Sequence, residues 1–199
     1  MQPMERTLPS LQNLVADLSS GAITGVAAKP PSDSTTGNAD LSGTHLIKYL
    51  YTDVAATLTG SNRLSCPEGG NANARYLHFQ DSRATIAKLS QAFPIVASGN
   101  FSGCAYKVFK DGTDVICAHI ARPGGQGSDA NVKLMDDYAQ QKRWTELQHI
   151  QTVGNIGTNG CSEVWVVSQL IGNRVDSIRL NVNSQGVIVG KSTVQSSTV

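Results

Sequence analysis

Residues 101–122, Phe-Ser-Gly-Cys-Ala-Tyr-Lys-Val-Phe-Lys-Asp-Gly-Thr-Asp-Val-Ile-Cys-Ala-His-Ile-Ala-Arg, constrain this chain more than any other stretch. Two runs rich in apolar and β-branched residues flank Asp111-Gly112, a dipeptide that supplies the positive φ angles of a tight turn. The pattern predicts a β-hairpin. With Asp111-Gly112 as the whole turn, Lys110 faces Thr113, Val108 faces Val115, Tyr106 faces Cys117, and Cys104 faces His119. Directly opposed side chains share a face, with Cβ atoms roughly 4.5–5.5 Å apart. A thiol and an imidazole then meet through local geometry alone. Cysteine chemistry suits that neighbour, because the thiolate is the nucleophile and an imidazolium lowers the thiol pKa. Both residue types also serve as core packing, and a one-residue change of turn length would send them to opposite faces.

The rest of the chain narrows the classes open to it. Its 199 residues suffice for one domain with a real core, and 16% charged residues with 19 glycines indicate a globular, loop-rich protein. A formal net charge of +1 gives no electrostatic case for nucleic acid or anionic membrane as the partner. No apolar run approaches the roughly 18 residues of a membrane span. The N-terminus, Met1-Gln-Pro-Met-Glu-Arg, lacks the basic start and apolar core of a secretory signal, so export would need a dedicated machine or lysis. The four cysteines, Cys66, Cys104, Cys117 and Cys161, form no C-x-x-C and no zinc-ligand spacing. We expect free thiols in a reducing compartment, no metal and no cofactor.

In chain order, Leu11, Leu14, Val15 and Leu18 fall on one helical face ending near Gly21. Residues 21–43 shift to Gly, Ser, Thr, Pro and Asn, so residues 1–43 read as an N-terminal helix with a flexible linker and 44–199 as the main body, a single domain that would hold the Cys104–His119 site. Thr44–Leu58 has helical spacing, with a strand over Leu46–Tyr51 as the competing reading. Residues 60–74 read as a long irregular loop, Tyr76–Phe79 as a short strand, and a helix capped by Asp81 or Ser82 carries Ile86, Leu89 and Ala92. Pro94-Ile-Val-Ala reads as a strand entering a turn at Ser98-Gly-Asn. Ser128 or Asp129 caps a helix to about Trp144, Glu146–Val153 follows as a strand, and three strands fill 163–194. Helices first and hairpin strands later, without βαβ alternation, indicate an α+β fold. Its sheets should be mostly antiparallel or mixed, sandwich-like and flanked by helices. Neither a P-loop nor a dinucleotide fingerprint occurs.

The tetrapeptide Phe101-Ser102-Gly103-Cys104, with His119 fifteen positions on, resembles the Leu-Ser-Gly-Cys signature of the cytotoxic necrotizing factor family of bacterial toxins. It is similar too to the Burkholderia lethal factor and to the chemoreceptor deamidases. These are glutamine deamidases that act on Rho-type GTPases, a translation initiation helicase and chemoreceptors respectively. Phe101 stands where the family has Leu, and about twenty residues carry the likeness. The resemblance implies a toxin or virulence factor that reaches the host cytosol and acts there on a reactive glutamine of a host protein; a monomer is expected. It implies Cys104 as nucleophile, His119 as base and acid, and main-chain amides near Gly103 and Cys104 as oxyanion donors. In the lethal factor a threonine shortly before the cysteine orients the imidazole. Here Ser98, six residues upstream of Cys104, is the nearest hydroxyl, with Asn100 and the main chain of 66–74 as rivals.

Tyr106 and Cys117 share the face of Cys104 and read as core, while His45, His78 and His149 read as surface or structural. Loops 60–74, 122–130 and 154–161 would set substrate choice. A papain-like protease or a transglutaminase would also use Cys and His, although papain-type enzymes place the cysteine at a helix start with its histidine far downstream. A non-enzymatic binding module is the remaining alternative.

Overall fold

The computed structural model describes residues 9–27, 29–32, 47–122, 129–153 and 156–199. A 3-10 turn at Leu11–Asn13 leads into α1 (Leu14–Ser20), followed by β1 (Gly25–Val26), β2 (Ile47–Tyr49), β3 (Tyr51–Val54), β4 (Thr57–Thr59) and β5 (Arg63–Ser65). Next come β6 (Ala74–Leu77), β7 (Ala84–Leu89), β8 (Ile95–Phe101), β9 (Ala105–Asp111) and β10 (Asp114–Ile120). After α2 (Ala130–Gln141) the chain ends with β11 (Thr145–Ile150), β12 (Glu163–Ile171), β13 (Arg174–Val182), β14 (Ile188–Lys191) and β15 (Gln195–Thr198). The fold is α+β, sheet-rich, with mixed but mostly antiparallel pairing.

A five-stranded sheet, β11-β9-β10-β7-β2, packs on a seven-stranded sheet made of the path β14-β13-β12-β8-β6-β3 and of β15, which pairs with β13 off that path. Leu77, Leu89, Phe101, Tyr106, Val115 and Val164 fill the space between them. Within it the Tyr106 hydroxyl lies 2.8 Å from Ser168 Oγ, which lies 2.7 Å from Ser177 Oγ, so these buried hydroxyls satisfy one another. The other face of the five-stranded sheet carries α2, with Met135 and Tyr138 against Ile86, Phe109 and Ile116.

Residues 9–27 pack into the same body. Leu14, Val15 and Leu18 are buried with Trp165, Val167 and Leu180 on the outer face of the seven-stranded sheet, each burial stabilising by about 1.5–3 kcal/mol. Gly21, at φ 84°, closes α1 by a left-handed cap. β1 lies within the stretch read as linker and pairs in parallel with β5, and the 3-stranded sheet order is β1-β5-β4.

Three local readings are corrected. Residues 47–54 take the extended alternative, as β2 and β3. The loop read over 60–74 contains β5. The helix expected after Ser82 is β7, buried on both faces between the sandwich core and α2. A strand covered on both sides shows no polar alternation, which is why its sequence imitates a helix. The remaining elements of the C-terminal half follow the expected order, with β15 added beyond the three strands read over 163–194.

Candidate functional site

The hairpin β9–β10 forms, but its turn is displaced from the expected one. Asp111 pairs with Asp114, so the two-residue loop is Gly112-Thr113. Gly112 has φ 59° and Thr113 is not in the left-handed region, the pattern of a turn with glycine at its first central position. Asp111 therefore closes the ladder instead of entering the loop. Each partner moves by two: Lys110 pairs with Val115, Val108 with Cys117, Tyr106 with His119 and Ala105 with Ile120. Direct opposition of Cys104 and His119 does not hold. Continued by one step, the register sets Cys104 across from Ala121 and diagonal to His119. A shift of two preserves the face, and Cys104 lies with Phe101, Tyr106 and Cys117 in the core between the sheets.

His119 is 1% exposed and is held by β8. Opposite β12, β8 bulges between Ser98 and Phe101, with Asn100 at φ 65°. The Ser-Gly-Asn segment, read as a turn, is this bulge. A bulge inserts one residue and re-aims the side chains beyond it, so Ser98 and Phe101, three apart, serve one side chain. Ser98 Oγ lies 2.9 Å from His119 Nδ1, and the Phe101 ring stacks on the imidazole at 4.0 Å between centroids. Gly99 is required between them. A Cβ there would stand 2.4 Å from the Trp165 ring.

The hydrogen bonds fix the imidazole tautomer. The Ser98 hydroxyl donates to the Leu77 carbonyl at 2.7 Å, an acceptor that has no proton to give. Ser98 Oγ must therefore accept from Nδ1–H of His119. Nε2 is left as an unprotonated acceptor, and it is buried without a hydrogen-bond partner. The third-group candidate is thus joined to the histidine, whereas Asn100 is exposed and the main chain accepting from Ser98 is Leu77, outside 66–74.

Burial dominates the electrostatics. It pushes the His119 pKa down to about 3, with the nearby His78 adding to the effect. Burial also raises the Cys104 thiol, opposed by the Arg122 main-chain N–H and then by the Arg122 guanidinium. The pair therefore rests as thiol and neutral imidazole, not as an ion pair. Thr152 Oγ1 donates to the Cys104 carbonyl and ties the start of β9 to the segment after β11. Gly103 is buried in the bend before Cys104.

Phe79, Thr152 and Arg122 carried no motif in the sequence. Phe79 is 45% exposed, and its ring lies 5.7 Å from that of His119. Tyr106 and Cys117 are core residues, and burial carries the Cys117 thiol up to about 12. His78 is buried with Nε2 2.7 Å from Thr52 Oγ1, and His149 is half-buried on β11. His45 and parts of the 122–130 and 154–161 loops lie outside the described residues. All four cysteines are free. Among the described residues no group of His, Cys, Asp and Glu is placed to hold a metal, and no helix is long and apolar enough to cross a membrane. No protein-family model, curated protein or solved structure matches the chain.

Proposed function

We propose that this protein is a toxin-like protein-glutamine deamidase in which Cys104, His119 and Ser98 carry the reaction. The observation that supports the reading is the buried, unprotonated Nε2 of His119, oriented through Nδ1 by Ser98 and Leu77 on the face that Cys104 shares. A general base needs a lone pair within reach of the proton it takes, and an orienting group on its other nitrogen.

The resting protonation states define the chemistry. As Cys104 Sγ bonds to the carboxamide carbon of a substrate glutamine, its proton passes to His119 Nε2 and the carbonyl electron pair moves onto oxygen. Main-chain amides near Gly103 and Cys104 receive that oxyanion. Collapse breaks the C–N bond, and His119 returns the proton to the departing ammonia. Water then gives a proton to Nε2 as its oxygen attacks the thioester carbon. The C–S bond breaks, sulfur recovers the proton, and the side chain leaves as glutamate. No cofactor enters. A Rho-type GTPase or a translation initiation helicase is the substrate class that the sequence resemblance suggests, within a reducing host cytosol.

The test is mass spectrometry of host-cell proteins exposed to wild type and Cys104→Ser. We expect a one-dalton Gln-to-Glu gain with ammonia release, dependent on Cys104. Chain cleavage would indicate a protease and a cross-link a transglutaminase. An unchanged gain with Cys104→Ser would exclude the mechanism.

A further inference from the structure

We propose that Arg122 is a catalytic residue whose unpaired Nε–H binds the carbonyl oxygen of the attacked amide. The inference rests on the deamidase reading and adds a side-chain donor to the main-chain amides. Three observations carry it. The Arg122 side chain is 8% exposed, an unusual place for a guanidinium, and one edge is anchored by Nη2 to Asp129 Oδ1 at 3.0 Å. The other edge is unspent: Nε is buried with no hydrogen-bond partner. A buried charged donor left unmatched is costly, so Nε–H is open to an acceptor that arrives with a ligand. The third observation is position. Arg122 lies two residues past the end of β10 and next to Ala121, which the ladder, continued by one step, sets across from Cys104, and its main-chain N–H and charge both oppose the rise of the Cys104 thiol pKa.

The chemistry requires such a group. Attack by a neutral thiol through a neutral base places the developing negative charge on the amide oxygen while the proton sits on His119. A cationic donor held in advance, in a poorly solvated place, stabilises that charge without reorganising. Among the charges that act on Cys104, Arg122 is a cation and Asp81 an anion. Two orphaned atoms then divide the work. Nε2 of His119 accepts the proton and Nε–H of Arg122 donates to the oxygen. Asp129, 70% exposed in its side chain, is the anchor that keeps the guanidinium turned.

The experiment compares alkylation of Cys104 by iodoacetate and by iodoacetamide, followed by peptide mass spectrometry at low ionic strength, with glutathione as the unassisted thiol. The wild-type iodoacetate-to-iodoacetamide rate ratio should exceed that of glutathione by about tenfold, the effect of one nearby, weakly screened charge. It should fall toward the glutathione value in Arg122→Gln and persist in Arg122→Lys. On a glutamine-containing target, Arg122→Lys should lose about 10²–10³-fold in kcat with less change in KM, the loss typical of a removed oxyanion donor. A wild-type ratio equal to that of glutathione overturns the proposal without any variant, so a poorly folded Arg122→Gln does not protect it. Full kcat in Arg122→Lys overturns the role of Nε–H. If no target is deamidated at all, the enzymatic reading fails, whereas the alkylation ratio still reports separately whether Arg122 presents its charge to the sulfur.

Discussion

Ser98 Oγ accepts the Nδ1 proton of His119 at 2.9 Å while giving its own proton to the Leu77 carbonyl at 2.7 Å. A serine on one sheet thereby decides which nitrogen of a histidine on the other keeps its lone pair. The relation spans the sandwich, from β8 to β10, and depends on the bulge that sets Ser98 and Phe101 on the same imidazole.

Replacing Ser98 with Ala therefore removes an acceptor from Nδ1 and a donor from Leu77. With no reason to keep the proton on Nδ1, the ring can move it to Nε2 and cease to be a base. We expect a fall in kcat of about 10²–10⁴-fold, the worth of general acid–base catalysis, with stability reduced by about 1–3 kcal/mol for the unsatisfied buried groups. Nitrogen NMR of His119 should show Nε2 unprotonated in wild type and protonated in Ser98→Ala, with Ser98→Thr close to wild type. Full activity with an unchanged tautomer in Ser98→Ala would defeat the orienting role.

The pH dependence of stability arises from burial of the same ring. His119 has a folded pKa of about 3 against an ordinary 6.5, so between those values the unfolded chain binds the additional proton. Its contribution is complete above about pH 6.5 and is lost as pH falls toward 3, by at most about 1.4 kcal/mol per pH unit. His149, shifted downward mainly by burial and then by Lys107, steepens the slope. Urea unfolding from pH 4 to 7 should show stability rising with pH, and His119→Gln should flatten that rise. An identical slope in the variant would mean that His119 titrates normally in the fold.

Much of this architecture is legible in the residues. The Asp-Gly signal and its flanking β-branched runs mark the hairpin, and the apolar period of 130–141 marks α2. What misleads is burial on both faces. Ala84–Leu89 lies between two cores, so its side chains show no outward polar rhythm and three-residue spacings look helical. Local composition also cannot separate a turn from a bulge. Ser98-Gly99-Asn100 has turn residues, yet pairing with β12 draws it into a strand. The register error has the same origin: Asp111 and Gly112 are both turn formers, and only the ladder distinguishes a loop starting at 111 from one starting at 112. Ser98 was accessible through its position before Cys104. Arg122 was not, because an unsatisfied Nε–H is a property of packing.

Thiol reactivity should separate Cys104 from Cys66 and Cys117. Burial drives Cys66 and Cys117 up to about 12, at Cys117 against hydrogen bonds with Tyr106 and Ser168, whereas at Cys104 a main-chain N–H and a full positive charge, both of Arg122, oppose it. Alkylation with iodoacetamide at about pH 8, near the ordinary thiol pKa, should label Cys104 before Cys66 and Cys117 when read by peptide mapping. Ser98→Ala should leave that order intact. Labelling of Cys66 or Cys117 at the same rate as Cys104 would remove the case for a distinct nucleophile.

Gly99 links packing to the site most directly. Its missing side chain is the space occupied by Trp165, whose ring atoms would lie 2.4–2.9 Å from an added Cβ, and Trp165 is itself pinned by a 3.0 Å bond from Nε1 to Glu163 Oε1. Gly99→Ala must push the indole or β8 aside, at a cost of about 1–3 kcal/mol for overpacking. A shift of β8 moves Ser98 off Nδ1, so stability and kcat should fall together although Gly99 touches no reacting atom. The second-site change Trp165→Leu provides room for the methyl group. In Gly99→Ala/Trp165→Leu, activity relative to Trp165→Leu alone should recover most of what Gly99→Ala loses. If activity stays low despite restored thermal stability, the loss comes from somewhere other than displacement of Ser98 by the Trp165 clash.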